Sequence, residues 1–267
     1  MFPIQLHTQS YSVNPEAPKA NPLWERLASA YRRAIQSFVE SQAGCFYEMA
    51  VMILGGILLE PWSALKTVLD MGLTWRKTLH SNTLNPLDLT PAQATQRPVL
   101  LIHGNYLNAA TWLPLAKKLH KNHSSPVFTV DLPSGRLMAK DRQLLQDRIA
   151  HIQGVYRSNG FTPPPIDLVG HSRGGEAAKW LLASADKQSL KEIGKVILVG
   201  SEFSSSDLNQ LGPLASRIHQ LHGEHDIFIP KTSPLPPAQQ NTVRVGHAGL
   251  LHSPKSHNQI IEWLKNG

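Results

Sequence analysis

Ser172 stands in the pentapeptide GHSRG, residues 170–174, with a glycine two places before it and another two places after. An apolar run, PIDLVG, precedes it and a helix-forming run, EAAKWLL, follows. A serine at a sharp strand-to-helix turn is held in a strained backbone conformation, so its neighbours must be small. Such a turn, G-x-S-x-G, lifts the hydroxyl clear of the sheet edge and aims a helix N-terminus at it, where negative charge is favoured. The chemistry this suits is attack on an acyl carbonyl. An ordinary strand–helix turn with a capping serine is the plainer reading of the pentapeptide taken alone.

A serine hydroxyl is a weak nucleophile and needs a histidine base, itself oriented by a carboxylate. Six histidines follow residue 172. His247, in VRVGHAGLLHSP, comes directly after the last expected strand, on a loop from which it can reach Ser172; His252 reads as a solvent-facing residue, and His257 opens the last helix. Among the acids, Asp226 in GEHDIFIP leaves the fifth expected strand at the edge where ligands bind in open α/β sheets. Glu202 and Asp207, after the fourth strand, and Glu224 are the alternatives. His171 should point away from Ser172 and serve packing or hydrogen bonding. His219, His222 and His225 are spaced by three on a strand-like segment, so they alternate faces and cannot converge on a metal. Neither a metal nor a cofactor is expected. The developing oxyanion needs backbone donors; the amide of Arg173 is one, and the loop HGNYLN after the first strand offers the other at Asn105, with Tyr106 the next choice.

These residues need a frame, and from residue 98 the sequence supplies one. Short apolar runs at PVLLIHG, PVFTVDLP (126–133), PIDLVG and KVILVG (195–200) read as strands buried on both faces, with weaker strands at 217–223 and 241–246. Helical segments fall between them at 110–120, 139–157 and 173–185, with a last one at 254–265. Alternating strands and helices make a mostly parallel sheet with right-handed crossovers. Residues 1–20 read as an irregular tail, and 21–97 as a helical region plus linker. Its helix candidates carry Leu23, Leu27, Tyr31, Ile35 and Phe38, then the apolar run 45–59, then Trp62, Leu65, Leu69 and Leu73; the linker is 81–97.

The composition bounds the function. Of 267 residues, 41% are hydrophobic and 17% charged, enough for a sizeable core. The single cysteine, Cys45, excludes a disulfide framework and a cysteine-based zinc site. The net charge is +7, with 18 Lys+Arg against 12 Asp+Glu in residues 98–267, and no nucleic-acid motif accompanies it, so nucleic acid is not an expected partner. The N-terminus lacks the pattern of a secretory signal, and the most apolar segment, MAVMILGGILL, has 11 residues, short of the roughly 20 needed to span a bilayer. The cytoplasm is therefore the default compartment.

VLLIHGN, DLVGHSRGG, HDIFIP and VGHAGLL, in this order and spacing, resemble the α/β-hydrolase superfamily over residues 98–267, and within it the small lidless bacterial lipases of class 2. The resemblance implies the α/β-hydrolase fold and cofactor-free hydrolysis of carboxylic esters, acylglycerols among them. The family's histidine lies in a similar G-H-x-G-L-L stretch, which supports His247, and its acid lies at the place of Asp226. Two features depart from the pattern. The loop HGNYLN is not glycine-rich, and about 95 N-terminal residues have no counterpart. The stretch 201–216 is too short for a cap domain, so a lid, if there is one, is expected from the N-terminal helices, whose apolar surfaces equally suit peripheral membrane contact or packing on the sheet. The expected reaction is ester hydrolysis through Ser172, His247 and Asp226. Thioesterase or amidase activity with the same residues, or a non-catalytic membrane-surface protein on the same scaffold, are its rivals.

Overall fold

The computed structural model describes residues 84–265, except 124, 134–137 and 230. The expected tail, the three N-terminal helices and Cys45 lie outside the described residues. Strands β1 (Val99–Ile102), β2 (Val127–Val130), β3 (Ile166–His171) and β4 (Ile193–Val199) are buried at nearly every position. That is why they appear in sequence as unbroken apolar runs rather than alternating ones. With β5 (Ile218–Gly223) and β6 (Gln240–Val243) they form one six-stranded sheet in the order β2-β1-β3-β4-β5-β6, parallel throughout. The edge strand β6 ends at Val243 instead of running on to 246. Val243 is its one buried residue, so no alternating pattern marks its extent.

Each face of the sheet is covered by its own apolar layer. Leu100, Ile102, Leu168 and Leu198 face α3 (Met138–Ser158) and α4 (Arg173–Ser184), meeting Leu145, Ile149, Ile152, Ala177 and Leu181. Val99, Leu101, Val169 and Leu221 face α2 (Leu113–His123) and α6 (Pro254–Lys265), meeting Leu115, Leu119, Ile260 and Trp263. Each such side chain taken fully from water contributes about 1.5–3 kcal/mol. The helix expected from 110 starts as a 3-10 turn, Ala109–Trp112, because the Asn108 side chain caps the Ala110 amide before α2 begins. A short α5 (Ser205–Leu211) follows β4.

Residues 84–97 were expected to be a linker. They lie against the domain, with Leu84 buried, the Asn85 amide donating to the Val127 carbonyl, and Tyr156 Oη donating to the Gln96 carbonyl. A four-residue helix, α1 (Pro91–Ala94), opens on a capping box between Thr90 and Gln93. Among the described residues no helix is long and apolar enough to cross a membrane.

α4 packs its first turn directly onto the strands. A Cβ at Gly174 would lie 2.4 Å from the Ile102 carbonyl oxygen, and one at Gly170 would lie 2.6 Å from the Gly174 backbone. Only glycine permits this approach, and it brings residue 172 to the rim between β1 and β4.

Candidate active site

Ser172 is the residue between β3 and α4, with φ 52° and ψ −123°. A side chain in this region is strained by about 1–3 kcal/mol, a cost that persists only where the surroundings impose it. Here they do. The Ser172 amide donates to the Val199 carbonyl, and its own carbonyl accepts from Ser201 Oγ at 2.7 Å and from the amides of Gly175 and Glu176.

Asp226 and His247 meet over the same rim. Asp226 sits in the turn leaving β5, its amide donating to the Gly223 carbonyl. Its carboxylate is 2% exposed, and Oδ1 accepts from the amides of Phe228 at 2.9 Å and Ile229 at 3.1 Å. Oδ2 accepts from His247 Nδ1 at 2.7 Å. Burial pushes this carboxyl up, but the His247 charge and hydrogen bond and the two amides outweigh it and hold the group below its ordinary value. Asp226 therefore stays ionised, Nδ1 of His247 carries the proton, and Nε2 is left as the basic nitrogen. The His247 ring rests on Gly200, where a Cβ would lie 3.2 Å from Cε1 and Nδ1. Gly200, at φ +54°, immediately follows β4.

The residue beside Ser172 helps hold His247. His171 Nε2–H donates to the His247 carbonyl at 3.1 Å, and the two rings are 4.6 Å apart. Burial, aided by the neighbouring His247 charge, pushes the His171 imidazole down to about 3. It is thus neutral near pH 7, and a proton arriving on His247 meets no second cation there. An unfolded histidine titrates near 6.5, so between that pH and about 3 the unfolded chain binds a proton that folded His171 refuses. Its contribution to stability is whole above pH 6.5 and is lost as pH falls. Unfolding midpoints are expected to drop between pH 7 and pH 4.5, and His171→Gln should flatten that slope by up to about 1.4 kcal/mol per pH unit. Equal slopes in the two proteins would count against this.

The loop after β1 passes over Ser172: a Cβ at Gly104 would lie 3.1 Å from Ser172 Cβ. His103 fixes this loop. Its Nε2 accepts from the Leu132 amide at 2.9 Å, so its Nδ1 carries the proton and donates to the Gly104 carbonyl at 2.7 Å. In a trans peptide the N–H points opposite the carbonyl, so this bond sets the direction of the Asn105 amide. Tyr106, the next residue, has φ 58°. Sequence reasoning passed over the part of His103; its signal was a buried histidine directly before the loop.

Asp207 closes the capping box of α5 and accepts from Lys179 at 3.3 Å. Glu202 is exposed, and Glu224 lies 4.0 Å from Arg244 Nε. His252, expected to face solvent, is half-buried at the end of the turn Gly249–Leu251. His257 is buried and donates to the Leu251 carbonyl. His219 packs on Trp263 while His222, on the opposite face of β5, lies within the electrostatic reach of Asp226. A cavity of about 320 Å³ opens beside α4, lined by Arg142, Lys179, Trp180, Asp207 and Leu211 among others; Ser172, Asp226 and His247 do not line it.

Residues 93–222 match the model of a family described as the PGAP1-like alpha/beta domain. No curated protein matches the sequence. Among solved structures, similar chain traces include the lin2722 gene product of Listeria innocua, at 18% identity and TM-score 0.44, covering 64% of this chain and 95% of that one. A predicted CIB-like hydrolase of Thermoplasma acidophilum gives 17% identity and TM-score 0.48, covering 67% and 90%. Lipase B of Aspergillus fumigatus gives 13% identity and TM-score 0.49, covering 68% and 55%.

Proposed function

We propose that this chain belongs to the α/β-hydrolase superfamily, a reading that its sheet topology and its match to the PGAP1-like alpha/beta domain support, and that it is a serine hydrolase of carboxylic esters. The observation that carries the reading is the 2.7 Å bond between the buried Asp226 carboxylate and His247 Nδ1, formed at the rim where Ser172 is strained between strand and helix. The mechanism follows from the proton positions. His247 Nε2 takes the Ser172 Oγ proton as Oγ bonds to the acyl carbon. The carbonyl π electrons move to oxygen, where the amides of Arg173 and Asn105 receive the negative charge. The intermediate then collapses. The C–O bond to the alcohol breaks, and His247 gives its proton to the departing oxygen. Water, deprotonated by the same nitrogen, attacks the acyl-enzyme; the acid leaves and Ser172 regains its proton. Asp226 keeps the imidazole in the productive tautomer throughout. The strained turn at Ser172 thus acts as a nucleophile elbow.

The resemblance of VGHAGLL to the lidless lipases supports lipid esters as the substrate class. The test is labelling with a fluorophosphonate probe, followed by p-nitrophenyl esters of increasing acyl length with a matched thioester and anilide beside them. Labelling at Ser172 with ester turnover is expected. A probe that leaves Ser172 unmodified, or a thioester turned over far better than the matched ester, would overturn the assignment.

A further inference from the structure

We propose that the Arg173 side chain, paired with Asp141, positions the two amides that receive the oxyanion; this rests on the serine-hydrolase reading above. Arg173 is one of those donors through its backbone. Its guanidinium is the unexpected part: it turns inward and is 9% exposed, against 1% for Asp141. Nη2 lies 2.6 Å from both Asp141 carboxylate oxygens. Nη1 donates to the Pro133 carbonyl at 2.5 Å and lies 3.5 Å from Asn105 Oδ1. One side chain therefore ties the start of α4 to the loop after β1, the loop after β2 and the first turn of α3. The loop after β1 carries the second proposed donor, Asn105.

Such a pair is weak evidence of a stabilising role. A buried ion pair replaced by apolar residues of similar volume commonly leaves a fold as stable as before, because desolvation offsets the attraction. Fixed geometry is what it supplies. A planar guanidinium offers several donors in fixed directions, whereas an ammonium offers a compact point charge. An oxyanion hole depends on that fixity, because its donors act only when already aimed at the place where charge develops.

The experiment compares the full-length wild type with Arg173→Lys, Asp141→Asn and the double variant Arg173→Met with Asp141→Leu. For each, thermal melting, kcat and KM on a p-nitrophenyl ester and the rate of fluorophosphonate labelling are measured. The double variant removes both charges and should melt close to wild type. Its kcat and labelling rate are expected to fall about 10- to 100-fold with KM within about twofold, as for displaced catalytic donors. A folded double variant with wild-type kcat would overturn the proposal. Should the double variant and Asp141→Asn fail to fold, Arg173→Lys keeps the charge and decides alone: an undiminished kcat there is equally fatal, and a lowered kcat at unchanged KM supports positioning. A wild type that takes no label at Ser172 instead defeats the serine-hydrolase reading, and this proposal with it.

Discussion

Ser172→Ala is expected to remove ester turnover almost completely, lowering kcat by about a millionfold, the scale seen when a triad nucleophile is deleted, and to remove fluorophosphonate labelling. The loss is chemical, not structural. The side chain sits at the rim, and the turn is held by backbone groups: the Ser172 amide on Val199, and its carbonyl under Ser201 and the first amides of α4. Those bonds survive the substitution. Ser172→Gly separates the two roles. At φ 52° a Cβ is strained and glycine is not, so the glycine variant should be inactive yet more stable than the alanine variant by about 1 kcal/mol. Matched unfolding curves would check this. A nucleophile elsewhere would reveal itself as label persisting on both variants.

Asp226→Asn is the second large effect, about a thousand- to ten-thousandfold in kcat, and its cause is a tautomer. Oδ1 accepts from the Phe228 and Ile229 amides, so an asparagine keeps its carbonyl oxygen there and turns its NH2 group toward His247. Nδ1 must then accept, and the ring proton moves to Nε2, the atom proposed to take the Ser172 proton. The Michaelis constant should change little, because no substrate contact is lost. Glu202→Gln is the control: its side chain is exposed, and kcat should stay within about twofold, as surface substitutions usually do. If Glu202→Gln were the crippling change, the acid would have to be reassigned.

The central strands were legible because both their faces are covered, so an apolar run and a buried strand coincide from β1 to β4. The edge strand was legible only as a place. β6 buries Val243 alone, and a strand without an alternating face has no readable end. Ser172 stood out because its glycines are local: the close approach of α4 to β1 and β3 needs small residues within two places of it in sequence. Asp226 and His247 were readable as loop residues following strands, and β5 and β6 are neighbours in the sheet, so their loops emerge side by side. The inward turn of the Arg173 side chain was not readable. Its partner Asp141 is 32 residues upstream, in a helix whose polar positions all look alike in sequence.

Residue order alone is thus enough for the central strands and the longer helices between them, their alternation, and the residue types that could perform acyl transfer, since each is written in a window of a few neighbours. The sheet order, by contrast, decides which loops share a rim, that His171 lies under His247, that His103 turns the Asn105 peptide, and that Arg173 faces Asp141. These depend on contacts between segments far apart along the chain, whose directions are set by packing and hydrogen bonds that no local pattern encodes.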